Sequence, residues 1–352
     1  MGAEGPPRGS NQPPPGAAQR REPQAWAGYS SSEQAPLALP DLHAIRDAQA
    51  RIAPYVHRTP VMTCRAIDDE VGASLFFKCE HLQKVGAFKA RGACNAVFSL
   101  DESRARRGVV THSSGNHGAA LAYAARARGI PAWVVMPSNA PAVKQANVRR
   151  FGATVRLCEP NVAAREIACE AVMRETGATL IHPFDDPNVI AGQATATLEL
   201  LAAIPDLDAV IAPCGGGGLM SGTAIAAKAL RRGIRVLAAE PANADDAARS
   251  YASGRLEPLP STITIADGLR TTLSARTLSA LRAHVDAFGT CSEVGILRAM
   301  RMIFERMKQV VEPSSSVPLA CLLEKSLDAA GLRIGIIVTG GNVDLDRLPW
   351  TA

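Results

Sequence analysis

Strand-length runs rich in apolar and β-branched residues alternate with Ala- and Arg-rich stretches of helical length through most of this chain. The runs fall at residues 74–78, 109–111, 133–135, 155–157, 210–211, 236–237 and 334–338. Such alternation predicts an α/β fold of parallel sheets with crossover helices, because parallel neighbours cannot be joined by a tight hairpin. Ligands of such sheets gather at the carboxyl ends of the strands, and the Gly-rich segments of this chain fall just after the runs. With 352 residues and 47% hydrophobic content the chain can bury a full core and is long enough for two domains. Residues 109–181 read as a small domain of strand–helix units, inserted into a large one made of 40–108 and 182–349. Residues 1–39, rich in Pro, Gly, Ser, Gln and Ala, read as a disordered tail. Asp41 is placed to cap a helix that carries Leu42, Ile45, Ala48 and Ile52 on one face.

Composition narrows the function. The net charge of +5 is spread over helices, with no aromatic-interleaved basic stripe, which argues against nucleic acid. Eight dispersed cysteines with no CxxC pair read as reduced thiols of a cytoplasmic protein. Apolar runs stop short of a membrane span, and the N-terminus lacks the layout of a signal peptide.

Four segments then carry chemistry. In Gly86-Ala87-Phe88-Lys89-Ala90-Arg91-Gly92 a lysine opens a helix beside an aromatic ring. A lysine acts covalently only as the free amine, which an apolar setting favours; most lysines on helices are solvated, and the segment alone leaves both readings open. Ser113-Ser114-Gly115-Asn116-His117-Gly118 heads another helix, whose amides suit a carboxylate; either serine can also be a simple helix cap. Gly215, Gly216, Gly217 and Gly218, ahead of Leu219, sit at a strand-to-helix junction where successive N–H groups can cradle a phosphate. The spacing is not the GxGxxG of dinucleotide sites. Thr339-Gly340-Gly341-Asn342 closes the last strand.

In this order the four segments resemble the fold-type II pyridoxal-phosphate enzymes, in particular the serine/threonine dehydratase group that includes serine racemase. The resemblance runs from about Ala53 to Leu348 and implies a two-domain enzyme with the cofactor in the cleft. It implies Lys89 as the Schiff-base lysine and α-proton base, and Ser114 as the acid/base on the opposite face. It further implies the phosphate on Gly215–Gly218 and Leu219, Phe88 and Gly268 on the two ring faces, Asn116 at the 3-oxygen and Thr339 at the ring nitrogen. The substrate acid group falls to Ser113, Ser114, His117, Thr271 and Arg165. Where the family usually has serine, this chain has Thr339, a hydroxyl that would leave the ring a weaker electron sink than a carboxylate would.

The same resemblance turns Glu240-Pro241-Ala242-Asn243-Ala244-Asp245-Asp246 into a site for Mg²⁺, Ca²⁺ or Mn²⁺, using Glu240, the Ala244 carbonyl and Asp246; spacing alone suggests helix capping. It extends to a homodimer and to an ATP effector site at Lys84, Arg306, Lys308 and Asn342, with Val85 departing from the hydroxyl residue expected there. Residues 182–187, His-Pro-Phe-Asp-Asp-Pro, look more like dehydratases than mammalian racemases. Ser314-Ser315-Ser316 stands where dehydratases more often show Ser-Gly. The expected activity is deamination of a small β-hydroxy amino acid, L-serine or L-threonine, to a 2-oxo acid, with serine racemisation as a second activity. The rivals are a serine racemase proper, a 3-hydroxyaspartate dehydratase, and a catalytically silent pyridoxal-phosphate or metabolite-binding protein.

Overall fold

The computed structural model describes residues 1–2, 37–113, 115–140 and 142–350. The tail expected at 1–39 therefore lies almost wholly outside the described residues, and so does Ser114. The described residues from 37 onward belong to one compact unit, Ala35–Ala352; the other unit, Met1–Gln34, contributes only Met1 and Gly2.

Asp41 caps the Leu42–Ile52 helix, accepting from Ala44 N at 2.8 Å, and Ile45, Ala48 and Ile52 are its buried face. Among the described residues ten strands follow: β1 (Val61–Met62), β2 (Ser74–Cys79), β3 (Val109–His112), β4 (Ala132–Pro137), β5 (Thr154–Cys158), β6 (Thr179–Leu180), β7 (Ala209–Pro213), β8 (Arg235–Pro241), β9 (Ala287–Cys291) and β10 (Arg333–Val338). They form a six-stranded sheet of order β1-β2-β10-β7-β8-β9 and a four-stranded sheet of order β5-β4-β3-β6. Every pairing is parallel except that of β1 with β2. The short β1 and β6, and Ala287–Cys291 with its glycine, carry too weak a pattern to stand out in the sequence.

Strand β10 sits at the centre of its sheet and is buried from Ile334 to Val338, as expected of a parallel strand covered on both faces. It pairs with β2 as Val338↔Cys79 and with β7 as Ile336↔Ile211. The carboxyl ends of these three neighbours lie level, so the segments that leave them, 80–89, 214–218 and 339–342, meet at one edge of the sheet.

A buried ionic cluster fixes the first of these segments. Arg91, two residues into the Lys89–Phe98 helix, donates from Nε and one terminal nitrogen to Glu80 (2.7 and 2.8 Å), and from both terminal nitrogens to Glu199 (2.8 Å each). Lys78 donates to Glu199 at 2.6 Å, and Thr59 to Glu80 at 2.5 Å. Two cations face two anions, and all four are buried.

The same helix crosses the Pro187–Ala203 helix at Gly92 and Gly192, where a Cβ on Gly192 would lie 2.6 Å from the Arg91 carbonyl oxygen and from Gly92 Cα. Gly92 thus serves helix packing.

Candidate active site

The lysine is presented by backbone pairing. Phe88 N donates to Thr339 O at 2.9 Å, and Gly341 N donates to Gly86 O at 2.9 Å, so the turn before Lys89 is stitched to the segment leaving β10. Lys89 opens its helix; its Nζ donates to Pro183 O at 2.8 Å and lies 5.1 Å from the centroid of the Phe88 ring. Burial pulls the amine down to about 8, against a partial opposing pull from the Glu312 carboxylate. The positive end of the helix dipole acts in the same direction as burial.

The glycine segment between β7 and the Gly218–Leu230 helix is closed to side chains. Gly217 has φ +84°, and a Cβ there would stand 2.7 Å from Thr277 Cβ; one on Gly216 would collide with the Phe184 ring. Thr271 borders the segment, with its Oγ1 3.3 Å from where a Gly215 Cβ would be, and Leu219 is buried beneath. A bare backbone cradle at the head of a helix fits a phosphate.

Asn116 donates from Nδ2 to both Glu312 oxygens, at 2.9 and 3.1 Å, and its Oδ1 accepts from Asn342 Nδ2 at 2.9 Å. Asn342 Nδ2 also donates to Val85 O at 2.8 Å. Glu312 is a site residue that sequence reasoning missed. The signal in the sequence is an acidic residue directly before Pro313, at the head of the helix that carries Ser314, Ser315 and Ser316.

Three histidines near the lysine are held neutral. His182 Nδ1 accepts from Asp185 N (2.9 Å) and Phe184 N (3.4 Å), which puts the ring proton on Nε2. Burial lowers His182 to about 3, with His112 and then Lys89 adding to it, and burial with Arg165 lowers His112 to about 4. His117 is pushed well down, first by burial and then by Lys89; its Nε2 faces Ile181 O at 3.3 Å, so this side chain turns to the core. Ser113 Oγ accepts from Gly115 N at 3.2 Å, and among the described residues the Asn116–Arg128 helix has no side-chain cap. Arg165, half-buried, reaches the site through its field on His112.

Thr339 closes β10 as expected, buried, with its Oγ1 2.9 Å from Ser315 Oγ. Gly268 N donates to Ser314 Oγ at 3.1 Å. The first turn of the Pro313–Leu323 helix therefore braces two walls of the site.

The acidic loop after β8 is a separate centre. Glu240 accepts from Ala248 N (2.8 Å) and Ala247 N (3.3 Å), capping the Asp246–Ser253 helix as spacing alone suggests. Asp246 does not fit that reading: it is fully buried, and neither carboxylate oxygen has a hydrogen-bond partner among the described residues. Burial raises Asp246 to about 6 and raises Glu240 well above the carboxylate range, with Asp246 adding to the latter. Two buried carboxylates beside the buried Ala244 fit a hard divalent cation. Of the residues expected around a nucleotide, Asn342 touches Val85 and Asn116, whereas Arg306 is bonded to Ala66 O at 2.7 Å and to Glu70.

Residues 52–340 match the model of the family described as pyridoxal-phosphate dependent enzyme. Serine racemase of Oryza sativa subsp. indica is 52% identical over 313 residues, 88% of this chain and 92% of that protein. The beta-hydroxyaspartate dehydratase of Paracoccus denitrificans is 48% identical over 312 residues, 89% of this chain and 99% of that one. Among solved structures, maize serine racemase superposes with a TM-score of 0.86 at 51% identity, covering 89% of this chain and 97% of the other.

Proposed function

Because the chain belongs to the family of pyridoxal-phosphate dependent enzymes, we propose that it deaminates small β-hydroxy amino acids, L-serine or L-threonine, to 2-oxo acids, with serine racemisation as a second activity. The observation that carries this reading is the Lys89 amine, desolvated, oriented by Pro183 O and set at the same sheet edge as a side-chain-free phosphate cradle. Bound pyridoxal phosphate supplies an electron sink for the pair left when a substrate α-proton is removed. Lys89 would be its covalent anchor, and the free Lys89 Nζ would take the substrate α-proton. The amides of Gly215–Gly218 and Leu219 would hold its phosphate, Phe88 and Gly268 would flank its ring, and Asn116 and Thr339 would meet its 3-oxygen and ring nitrogen. Ser113, Ser114 and the His117 amide, with Thr271 and Arg165, hold the substrate carboxylate. The β-hydroxyl leaves, and hydrolysis releases ammonia and the keto acid.

A panel of L-serine, L-threonine, D-serine and 3-hydroxyaspartate tests the reading. Keto acid from L-serine or L-threonine is expected; release from hydroxyaspartate alone, or none with cofactor bound, sinks it. The serine at 114 motivates a further prediction. Racemisation needs an acid/base on each face of Cα, whereas L-elimination needs only Lys89. Ser114→Ala should remove D-serine formation and leave L-serine deamination measurable, at a stability cost of about 1 kcal/mol if a cap is lost. Equal loss of α-proton exchange from both enantiomers in deuterated water would mean that Ser114 only positions substrate.

Glu240, the Ala244 carbonyl and Asp246 are proposed to hold Mg²⁺ or a similar cation, on the strength of the unpartnered Asp246 oxygens. A cation bound to the native state alone adds about 2.7 kcal/mol at 100 times its Kd. Chelation should thus lower the melting temperature, and re-added Mg²⁺ should restore it in wild type but not in Asp246→Ala. A chelator that leaves melting unchanged would favour capping alone.

The inserted domain is placed at 109–181, supported by the four-stranded sheet built from 109–180. A homodimer is supported by Leu82 and Val310, 46% and 40% exposed on segments joined by His81 and Gln309. ATP as an effector would have to draw Arg306 away from Glu70. A cytoplasmic setting fits the free cysteines, and no described helix is long and apolar enough to cross a membrane.

A further inference from the structure

The turn from His182 to Asp186 leads from β6, in the four-stranded sheet, into the Pro187–Ala203 helix. Buried peptide groups need partners, so the destination of each one shows what holds such a turn in place. The N–H groups of Phe184 and Asp185 go to His182 Nδ1, and Asp186 caps the helix that follows. Two of the carbonyls face side-chain donors: Pro183 O accepts from Lys89 Nζ at 2.8 Å, and Asp185 O accepts from a terminal nitrogen of Arg276 at 3.0 Å. The same nitrogen meets the Asp185 carboxylate at 2.5 Å. The two side chains are only 19% and 30% exposed, so this pair is less screened than a surface one. Arg276 stands in the first turn of the Ala275–His284 helix, which is fixed by the capping box of Ser274 and Thr277, and Thr277 borders Gly217. Its charge adds to what burial, His112 and Lys89 do to keep His182 neutral, the form whose Nδ1 can accept.

We propose that Arg276 is a positioning residue that, through Asp185, holds the 182–186 turn closed over the Lys89 amine and keeps water from it. This rests on the reading of Lys89 as the reacting amine. The helix crossing at Gly92 and Gly192 sets where the amine stands, and the turn covers it, bringing Pro183 O and the His182 ring against it. The other titratable groups that face the amine among the described residues are His117, from the Asn116–Arg128 helix, and Glu312, at the head of the Pro313–Leu323 helix. With Arg276 replaced, the Asp185 carboxylate and carbonyl lose their shared donor. The turn is then tied at His182 and Asp186 alone and can lift from the lysine, and water that reaches the amine favours its charged form.

The test is competitive acylation of Lys89 against pH in the full chain freed of cofactor, with melting followed alongside. Wild type is compared with Arg276→Gln, Arg276→Lys and Arg333→Gln, the last breaking an ion pair with Asp206 at the far end of β10. Arg276→Gln should raise the midpoint from about 8 by about one pH unit, leaving about fivefold less free amine at pH 8. Arg276→Lys should bring most of that rise back, and Arg333→Gln should leave the midpoint in place. A midpoint that stays near 8 in Arg276→Gln overturns the inference whatever the melting temperature does, and so does an equal rise in Arg333→Gln. A wild-type midpoint already in the ordinary lysine range shows that the amine is not desolvated, and the reading of Lys89 fails first. If Arg276→Gln does not fold, Asp185→Ala decides: it removes the ionic part of the contact, so a rise there supports the inference and an unmoved midpoint overturns it.

Discussion

Lys89→Ala is expected to abolish turnover and covalent capture of pyridoxal phosphate while leaving the fold in place. Removal of a general base alone costs about 10²–10⁴-fold, and loss of the covalent anchor comes on top of it. The amine lies at the start of its helix and among the described residues makes one hydrogen bond, to Pro183 O, so its removal disturbs little packing. Mass spectrometry after borohydride reduction should find the cofactor on residue 89 in wild type and nowhere in the variant. A variant that keeps both the adduct and the activity would end the assignment. The same lysine gives a pH signature. Burial lowers its folded value to about 8, below the ordinary lysine range. The native apo-protein thus binds fewer protons than the unfolded chain between about 8 and 10.5, and this group's contribution to stability rises with pH across that window. Competitive acylation of the apo-protein should show Lys89 becoming reactive near pH 8; a midpoint at an ordinary lysine value would contradict the desolvated amine.

Arg91→Met should give the largest loss of stability, about 3–5 kcal/mol, because it strands Glu80 and Glu199 in the core with Lys78 as the remaining cation. Since Arg91 is two residues from Lys89, cofactor affinity should fall with it. Denaturant midpoints of the apo-proteins measure the first effect, and cofactor titration measures the second. A variant within about 1 kcal/mol of wild type would show that the cluster is hydrated and relaxed in solution.

Much of this arrangement can be read along the chain. Parallel strands declare themselves by apolar runs, and the Asp41 cap and the glycine segment after β7 by residue type, because each depends on neighbours in sequence. Glu312 and Glu199 could not be found that way: their partners are Asn116 and Arg91, 196 and 108 residues away. The acidic loop shows the limit from the other side. Spacing points to helix capping, which Glu240 performs, and only the burial of Asp246 reveals that one carboxylate is left over. Arg91 and Gly92 sit inside the most informative segment of the sequence, yet what each does depends on the Pro187–Ala203 helix that packs on them.

The crossing of Gly92 with Gly192 bears on how such an enzyme can acquire new substrates. With backbone against backbone, no residue larger than glycine fits at either position without separating the helices, and a separated pair would carry the reactive amine away from the sheet edge. Mutational exploration is therefore closed off beneath the lysine and freer around it, in the segments 182–187 and 261–275 that border the reacting groups. Relatives that share this crossing should differ in specificity through those rims, and laboratory evolution begun there should recover altered substrate range without loss of the amine's position.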